Sequence, residues 1–337
     1  MHLSTSNSER LLFNRGFGIT LLALFVATEI LLRLAPTLSP QAFRFIYGNA
    51  LSMYMSVAER LADAAPEIEV LALGDSLTMT QFQPDVFAEE LGVPNERVFN
   101  AGYSAMSFTS QERLLRKIGL DRFERLRTVL FFLNPHRVAG QETPNSEVFR
   151  VAIGNPDGPW QTIKETKKLA PLFDYSRVYG LSRYLILNAW RMILIHEPTW
   201  DDFRLLSPQG GVAWMERRQD AAAPVYPYPR IRVVSPERLA EMRMVIELFR
   251  RRGVDVIVLP NALHPEIQVF ASPNVEARFH VQVGDIAAAT GSHYRPEALI
   301  GFSAPMDTDF CDYGHMNRSG ALALTRWLSH TVTGPES

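Results

Sequence analysis

The chain has almost no cysteine: Cys311 is the single one among 337 residues. A lone cysteine excludes an internal disulfide, and no Cys/His metal-ligand spacing can be built around it. Strong charge of either sign is missing too. Lys and Arg total 34 against 36 for Asp and Glu, a formal net charge of −2, which lacks the basic footprint that nucleic-acid binding requires. Apolar residues are not scarce, at 47% with 21% charged. That excludes a disordered chain and leaves enough to bury one large α/β domain or two smaller ones. Low cysteine use suits either the cytosol or a bacterial envelope, so it does not fix the compartment.

What is present begins with an apolar run. Phe17 to Leu32 is apolar apart from two threonines and Glu29, and extended to Leu34 it spans about 27 Å as a helix, near the roughly 30 Å of a membrane's hydrocarbon core. An uncleaved anchor and a cleaved signal peptide both fit. No small-x-small cleavage site follows, and Pro36 and Pro40 come where the helix would end, which favours the anchor. Arg10 and Arg15 place the N-terminus in the cytoplasm and the rest of the chain outside, with Arg33 and Arg44 pulling the other way. The expectation is a single-pass protein of the cytoplasmic (inner) membrane facing the periplasm or cell exterior. Residues 1–36 would form the tail and transmembrane anchor. Residues 37–65, with Phe43, Phe45, Tyr47 and Tyr54, would form a membrane-proximal helical connector, and residues 66–333 the globular domain.

Within that domain Val70-Leu71-Ala72-Leu73 runs straight into Gly74-Asp75-Ser76 and then a helical pattern. It reads as a buried strand delivering a serine to a helix start, where unpaired N–H groups favour developing negative charge. The plainer reading is a strand-to-helix turn capped by Asp75 or Ser76. Arg97–Gly102 reads as a short strand ending in glycine. Thr128–Leu133 is the clearest buried strand and stops at Asn134-Pro135, so Asn134 falls at the carboxyl edge, where open α/β sheets place ligands. Helical patterns at Pro84–Leu91, Ser110–Phe123, Pro236–Arg251, Ala277–Thr290 and Asn317–Thr331, with a strand at Val254–Leu259, predict an α/β fold with a doubly wound parallel sheet. Residues 138–232, rich in Pro, Gly and aromatics without regular period, predict a helical and loop-rich insertion that caps a cleft.

A serine nucleophile needs a base and the base an orienting carboxylate. Asp312 and His315 stand three apart before the last helix. In a turn there, the carboxylate could accept from Nδ1 while Nε2 faces the serine, although an isolated Asp-x-x-His is more often a surface pair. His136, just past Asn134, and His264, just past a strand end, are candidate rim residues or structural ones. Cys311 has no neighbour to lower its pKa and reads as a packing residue.

Gly-Asp-Ser after the first strand, Asn-Ala-Gly after the second, Asn134 ending the third and Asp-x-x-His before the last helix together resemble the SGNH (GDSL) hydrolase superfamily, over about residues 66–333. The resemblance implies a flavodoxin-like three-layer fold and Ser76 as nucleophile with Asp312 and His315 as orienting acid and base. It also implies an oxyanion hole from the Ser76 and Gly102 N–H groups with the Asn134 side chain, and neither metal nor cofactor. Of the family's Gly-x-Asn-Asp block, Phe132-Leu133-Asn134-Pro135 matches the asparagine alone.

The N-terminal segment, the loop from His315 to Gly320, and Leu259-Pro260 with His264-Pro265 look more like the membrane-anchored branch of that superfamily. That branch includes the alginate O-acetylation proteins and the D-alanine transfer protein of teichoic acid modification. It implies transfer of an acyl group, expected to be acetyl, onto a cell-surface polysaccharide through an acyl-serine, beside a membrane-bound O-acyltransferase partner. An esterase or deacetylase with the same triad, and a non-catalytic glycan-binding or scaffold subunit, are the rival readings.

Overall fold

The computed structural model describes residues 7–38, 57–103, 106–139, 207–211, 230–264, 267–300, 302, 309–311 and 314–333. The chain divides into two units, residues 1–52 with 150–199 and residues 53–149 with 200–337.

The described part of the first unit is one helix, α1 (Asn7–Leu38). Its side chains are described from Gly16 to Leu31, about 24 Å of helix. Large apolar side chains stand exposed all round it, Ile19 at 68% and Leu22 at 64% among them. Its two threonine hydroxyls are satisfied internally: Thr20 Oγ1 donates to Gly16 O at 2.9 Å and Thr28 Oγ1 to Leu24 O at 2.8 Å. Among the described residues no helix is long and apolar enough to cross a membrane.

Among the described residues the second unit has five parallel strands, β1 (Val70–Leu73), β2 (Val98–Asn100), β3 (Thr128–Leu133), β4 (Asp255–Pro260) and β5 (His293–Tyr294). Their order is β2-β1-β3-β4-β5, with Leu71 opposite both Phe99 and Val129, and Leu130 opposite Ile257. The central strands are continuous apolar runs because both faces of the sheet are covered. Successive residues point to opposite faces. One face carries Ala72, Leu130, Phe132, Ile257 and Leu259 into a core with Phe82, Phe87, Leu324 and Leu328. On the other, Phe131 stacks on Phe108 with ring centres 5.9 Å apart.

The helices around this sheet, among the described residues, include α2 (Ser76–Gln81), α3 (Pro84–Leu91), α4 (Phe108–Ile118), α5 (Pro236–Arg250), α6 (Pro273–Thr290) and α7 (Arg318–Thr333). Ser107 and Ser235 cap α4 and α5 by accepting from Ser110 N and Arg238 N, which fixes where those helices start. Helix α7 packs on α2 and α3, while α5 lies between α4 and α6. The architecture is therefore an α/β fold with a parallel sheet and helices on both faces. Because β2 lies to one side of β1 and β3 to the other, the direction of winding reverses there. In such sheets ligands bind beyond the carboxyl ends of the two strands at that reversal.

The fifth strand, two residues long, was not foreseen; His293-Tyr294 has no apolar run to announce it. The connector at 37–65 is described only at 37–38 and from residue 57, where a helical run at 57–64 buries Val57 and Leu61. The insertion at 138–232 lies outside the described residues except for 138–139, 207–211 and 230–232. Of these, residues 207–211 extend the β2 edge: Asn100 N donates to Gln209 O at 2.9 Å, and Asn100 bridges to Gly210 in parallel.

Candidate active site

At the end of β1 the chain turns through Gly74-Asp75-Ser76 into α2. Asp75 caps that helix, its Oδ1 accepting from Leu77 N at 3.0 Å. Ser76 is the first helical residue and half-buried, and among the described residues neither its N–H nor its hydroxyl has a hydrogen-bond partner. Two glycines are needed here for closeness. A Cβ on Gly74 would lie 1.8 Å from Thr78 Oγ1, and one on Gly102 would lie 2.9 Å from Thr78 Cβ and 2.8 Å from Met79 N. One side chain of α2 thus demands glycine after two neighbouring strands.

Gly102 requires a correction. The resemblance gives its N–H to an oxyanion, but that N–H donates to Asn100 Oδ1 at 2.9 Å. An N–H makes one good bond, so Gly102 serves the packing of α2 and not the hole.

Helix α2 is six residues long and buried from Leu77 to Gln81, so its end carbonyls cannot rely on water and take side-chain donors instead. Asn100 Nδ2 donates to Thr78 O at 2.9 Å and Phe82 O at 2.7 Å, Asn261 Nδ2 to Thr78 Oγ1 at 3.3 Å, and Thr325 Oγ1 to Gln81 O at 3.3 Å. Gln81 itself, wholly buried, donates through Nε2 to Ala262 O at 2.7 Å and Gly314 O at 2.6 Å.

At the end of β3, Asn134 Nδ2 donates to Asp75 Oδ2 at 3.0 Å, and its Oδ1 accepts from His136 N at 3.1 Å. This joins the turns after β1 and β3 across the winding reversal. Gln111 adds a second tie, donating to Gly74 O at 3.1 Å while accepting from Arg137 Nη2 at 3.2 Å. The Arg137 guanidinium lies 4.0 Å over the Phe108 ring. Burial pushes His136 down to about 4, against the pull of the Asp75 carboxylate. Burial also pushes Arg137 down to about 10, with Asp75 first among the groups that oppose it. At neutral pH the imidazole is therefore neutral and the guanidinium charged.

His315 lies on a hairpin. Phe310 and Met316 bridge in antiparallel fashion, Cys311 N donates to His315 O at 2.7 Å, and Asn317 N to Asp309 O at 3.0 Å. Asp312 lies outside the described residues. His315 is half-buried, and its neighbour Gly314 packs on Leu77, the residue after Ser76: a Cβ on Gly314 would come within 2.8 Å of Leu77 Cδ2. Among the described residues no hydrogen bond joins Ser76 to His315. His264 is buried with its ring centre 5.5 Å from that of Phe310, so it supports the same hairpin, and Cys311 is buried within it.

Ser76, Asn134 and His136 are thus gathered around one carboxylate, and His315 stands on a loop bonded to the serine helix. The sequence reading missed Gln81, Asn100, Asn261, Gln111 and Arg137. A signal for the first existed: no residue between Asp75 and Asp85 is charged, which suits a buried helix satisfied by neutral amides and hydroxyls. No family model matches the chain, and no curated protein matches it.

Proposed function

We propose that the chain is a membrane-anchored serine acyltransferase of SGNH type, moving an acyl group, acetyl as the expected one, onto a cell-surface polysaccharide. The observation that carries this reading is the bond between Asn134 and Asp75 at the winding reversal, with Ser76 opening the adjoining helix and the His315 hairpin bonded to that helix. An unbonded serine hydroxyl on the residue after a carboxylate that a side-chain amide holds suits acyl transfer.

In this reading Ser76 Oγ attacks the acyl carbonyl while His315 takes its proton, oriented by Asp312. The Ser76 N–H and the Asn134 side chain hold the oxyanion. The bond to the leaving alcohol breaks, the alcohol takes the proton from His315, and an acyl-serine remains. A sugar hydroxyl then gives its proton to His315 and attacks the acyl-serine, forming the new ester and restoring Ser76. Water in place of the sugar gives hydrolysis by the same steps. The exposed apolar side chains of α1, Phe17, Ile19, Leu22 and Leu24 among them, support the anchor, since such a surface favours a nonpolar surrounding. A membrane-bound O-acyltransferase that supplies the acyl group belongs to the same reading.

The test is intact-protein mass spectrometry of the full chain after incubation with an activated acetyl ester, with and without oligosaccharide acceptor. A single acetyl adduct on Ser76, absent from Ser76→Ala, slow in His315→Ala and discharged by oligosaccharide, is the expected result. No adduct and no ester turnover would remove the reading. Discharge by water alone would make the protein an esterase.

A further inference from the structure

We propose that Gln81 is a positioning residue that sets where His315 stands relative to Ser76; the inference rests on the serine chemistry proposed above. Gln81 lies five residues beyond Ser76 on the same short helix and is wholly buried. Its side chain uses every bond a primary amide offers. Nε2 donates to Gly314 O at 2.6 Å and Ala262 O at 2.7 Å, and Oε1 accepts from Ala262 N at 3.1 Å and Asn261 Nδ2 at 3.3 Å.

The partners matter more than their number. Gly314 immediately precedes His315, and Ala262 and Asn261 follow β4, so one amide pins two distant segments to the helix that begins with Ser76. The hairpin's own bonds, Cys311 N to His315 O and Asn317 N to Asp309 O, give it shape, and it packs through Gly314 on Leu77 and through Phe310 on the His264 ring. Beyond the hairpin, Thr325 fixes α7 to the same helix, accepting from Gln83 N at 3.0 Å and donating to Gln81 O at 3.3 Å. Gln81 adds to that packing a directed hydrogen bond at the residue before the histidine. A base must reach its nucleophile to within a hydrogen bond, and a misplacement of about 1 Å costs on the order of 100-fold in rate.

The experiment compares the purified full chain in detergent with Gln81→Met, Gln81→Glu and Ser76→Ala. Methionine keeps the length and loses every bond. Glutamate keeps the shape and an acceptor but has no more than one O–H where the amide has two N–H donors, so at least one of the bonds to Gly314 O and Ala262 O is lost. Backbone hydrogen exchange is followed by mass spectrometry over 309–317, with β3 as reference. Serine reactivity is read with a fluorophosphonate, in which Ser76 Oγ forms a bond to phosphorus, fluoride leaves and His315 takes the serine proton.

In both Gln81 variants we expect exchange over 309–317 to quicken about tenfold with β3 unchanged. We also expect labelling at saturating probe to fall about 100-fold, with the half-saturating concentration within about twofold. Unchanged exchange over 309–317, a uniform rise that includes β3, or full labelling speed despite a loosened hairpin would each overturn the inference. If Gln81→Met does not fold, Gln81→Glu makes the same comparison. Wild-type protein that never labels at Ser76 removes the serine chemistry, and with it any role for Gln81 in that chemistry; the exchange result shows separately whether the hairpin is coupled.

Discussion

Asn134 Nδ2 donates to Asp75 Oδ2 at 3.0 Å, so the residue that follows β3 holds the carboxylate that caps the serine helix. Both oxygens of that carboxylate are then in use, one on Leu77 N and one on Asn134. Asn134→Ala leaves Asp75 Oδ2 and His136 N without their partners in a buried place. We expect a loss of about 1–3 kcal/mol, seen as a lower urea midpoint with an unchanged slope. On the proposed serine chemistry ester turnover should fall further, by about 100-fold, because Asn134 would be one of the oxyanion donors. Equal losses in stability and turnover would reduce Asn134 to a structural residue.

The contacts at Thr78 make a sharper prediction. Gly74→Ala drives a methyl into Thr78 Oγ1 at 1.8 Å and should cost about 3 kcal/mol, the upper range for overpacking. Adding Thr78→Ala removes that hydroxyl, although the Cβ at 2.6 Å remains, so the pair should be less destabilised than the sum of its parts. Gly102→Ala meets the backbone nitrogen of Met79 at 2.8 Å and should not be rescued in the same way. A double-mutant cycle by chemical denaturation measures both, and strict additivity for Gly74 with Thr78 would show that α2 shifts instead of clashing.

His136 gives the site a pH dependence whose sign is fixed. In the folded chain burial holds its imidazole neutral down to about pH 4, whereas the unfolded chain takes a proton near 6.5. Between those values the unfolded state binds more protons, so stability falls as pH falls from about 6.5 to about 4 and is complete above that window. His136→Gln removes the titration. The melting temperature of the variant should vary less than that of the wild type across pH 4 to 7, and parallel curves would assign the slope to other groups.

How much of this was legible beforehand follows the physics of each feature. Thr128–Leu133 was foreseen with its bounds, and Val70–Leu73 and the strand at 254–260 nearly so, because a strand buried on both faces must be an unbroken apolar run. The parallel sheet followed from alternation with helices, whereas the order of its strands was not predicted. The serine turn and Asn134 at a strand's end were legible because the sheet's carboxyl edge is a fixed address. Gly102 was misread, since sequence shows a glycine's freedom but not that Asn100 Oδ1 takes its N–H. The amides of Gln81, Asn100 and Asn261 were missed for a related reason: their partners lie far along the chain, Gly314 being 233 residues from Gln81. No local pattern encodes such a pairing.

The last prediction concerns α1. Between Gly16 and Leu31 its exposed residues include Phe17, Ile19, Leu21, Leu22 and Leu24, and both threonine hydroxyls are already spent on the helix's own carbonyls. Such a surface offers water almost nothing to bond, and satisfied hydroxyls are what a hydrocarbon surrounding demands. If α1 sits in a membrane, Leu24→Arg replaces a favourable residue with one that costs about 3 kcal/mol near a helix centre, whereas Leu24→Ile changes little. Carbonate extraction of membranes from cells producing each variant should leave wild type and Leu24→Ile in the pellet and release much of Leu24→Arg. The sheet domain must melt normally in both variants, so that release reports the helix and not unfolding. Wild-type chain found in the soluble fraction would mean that another protein covers this surface, and the anchor would be abandoned.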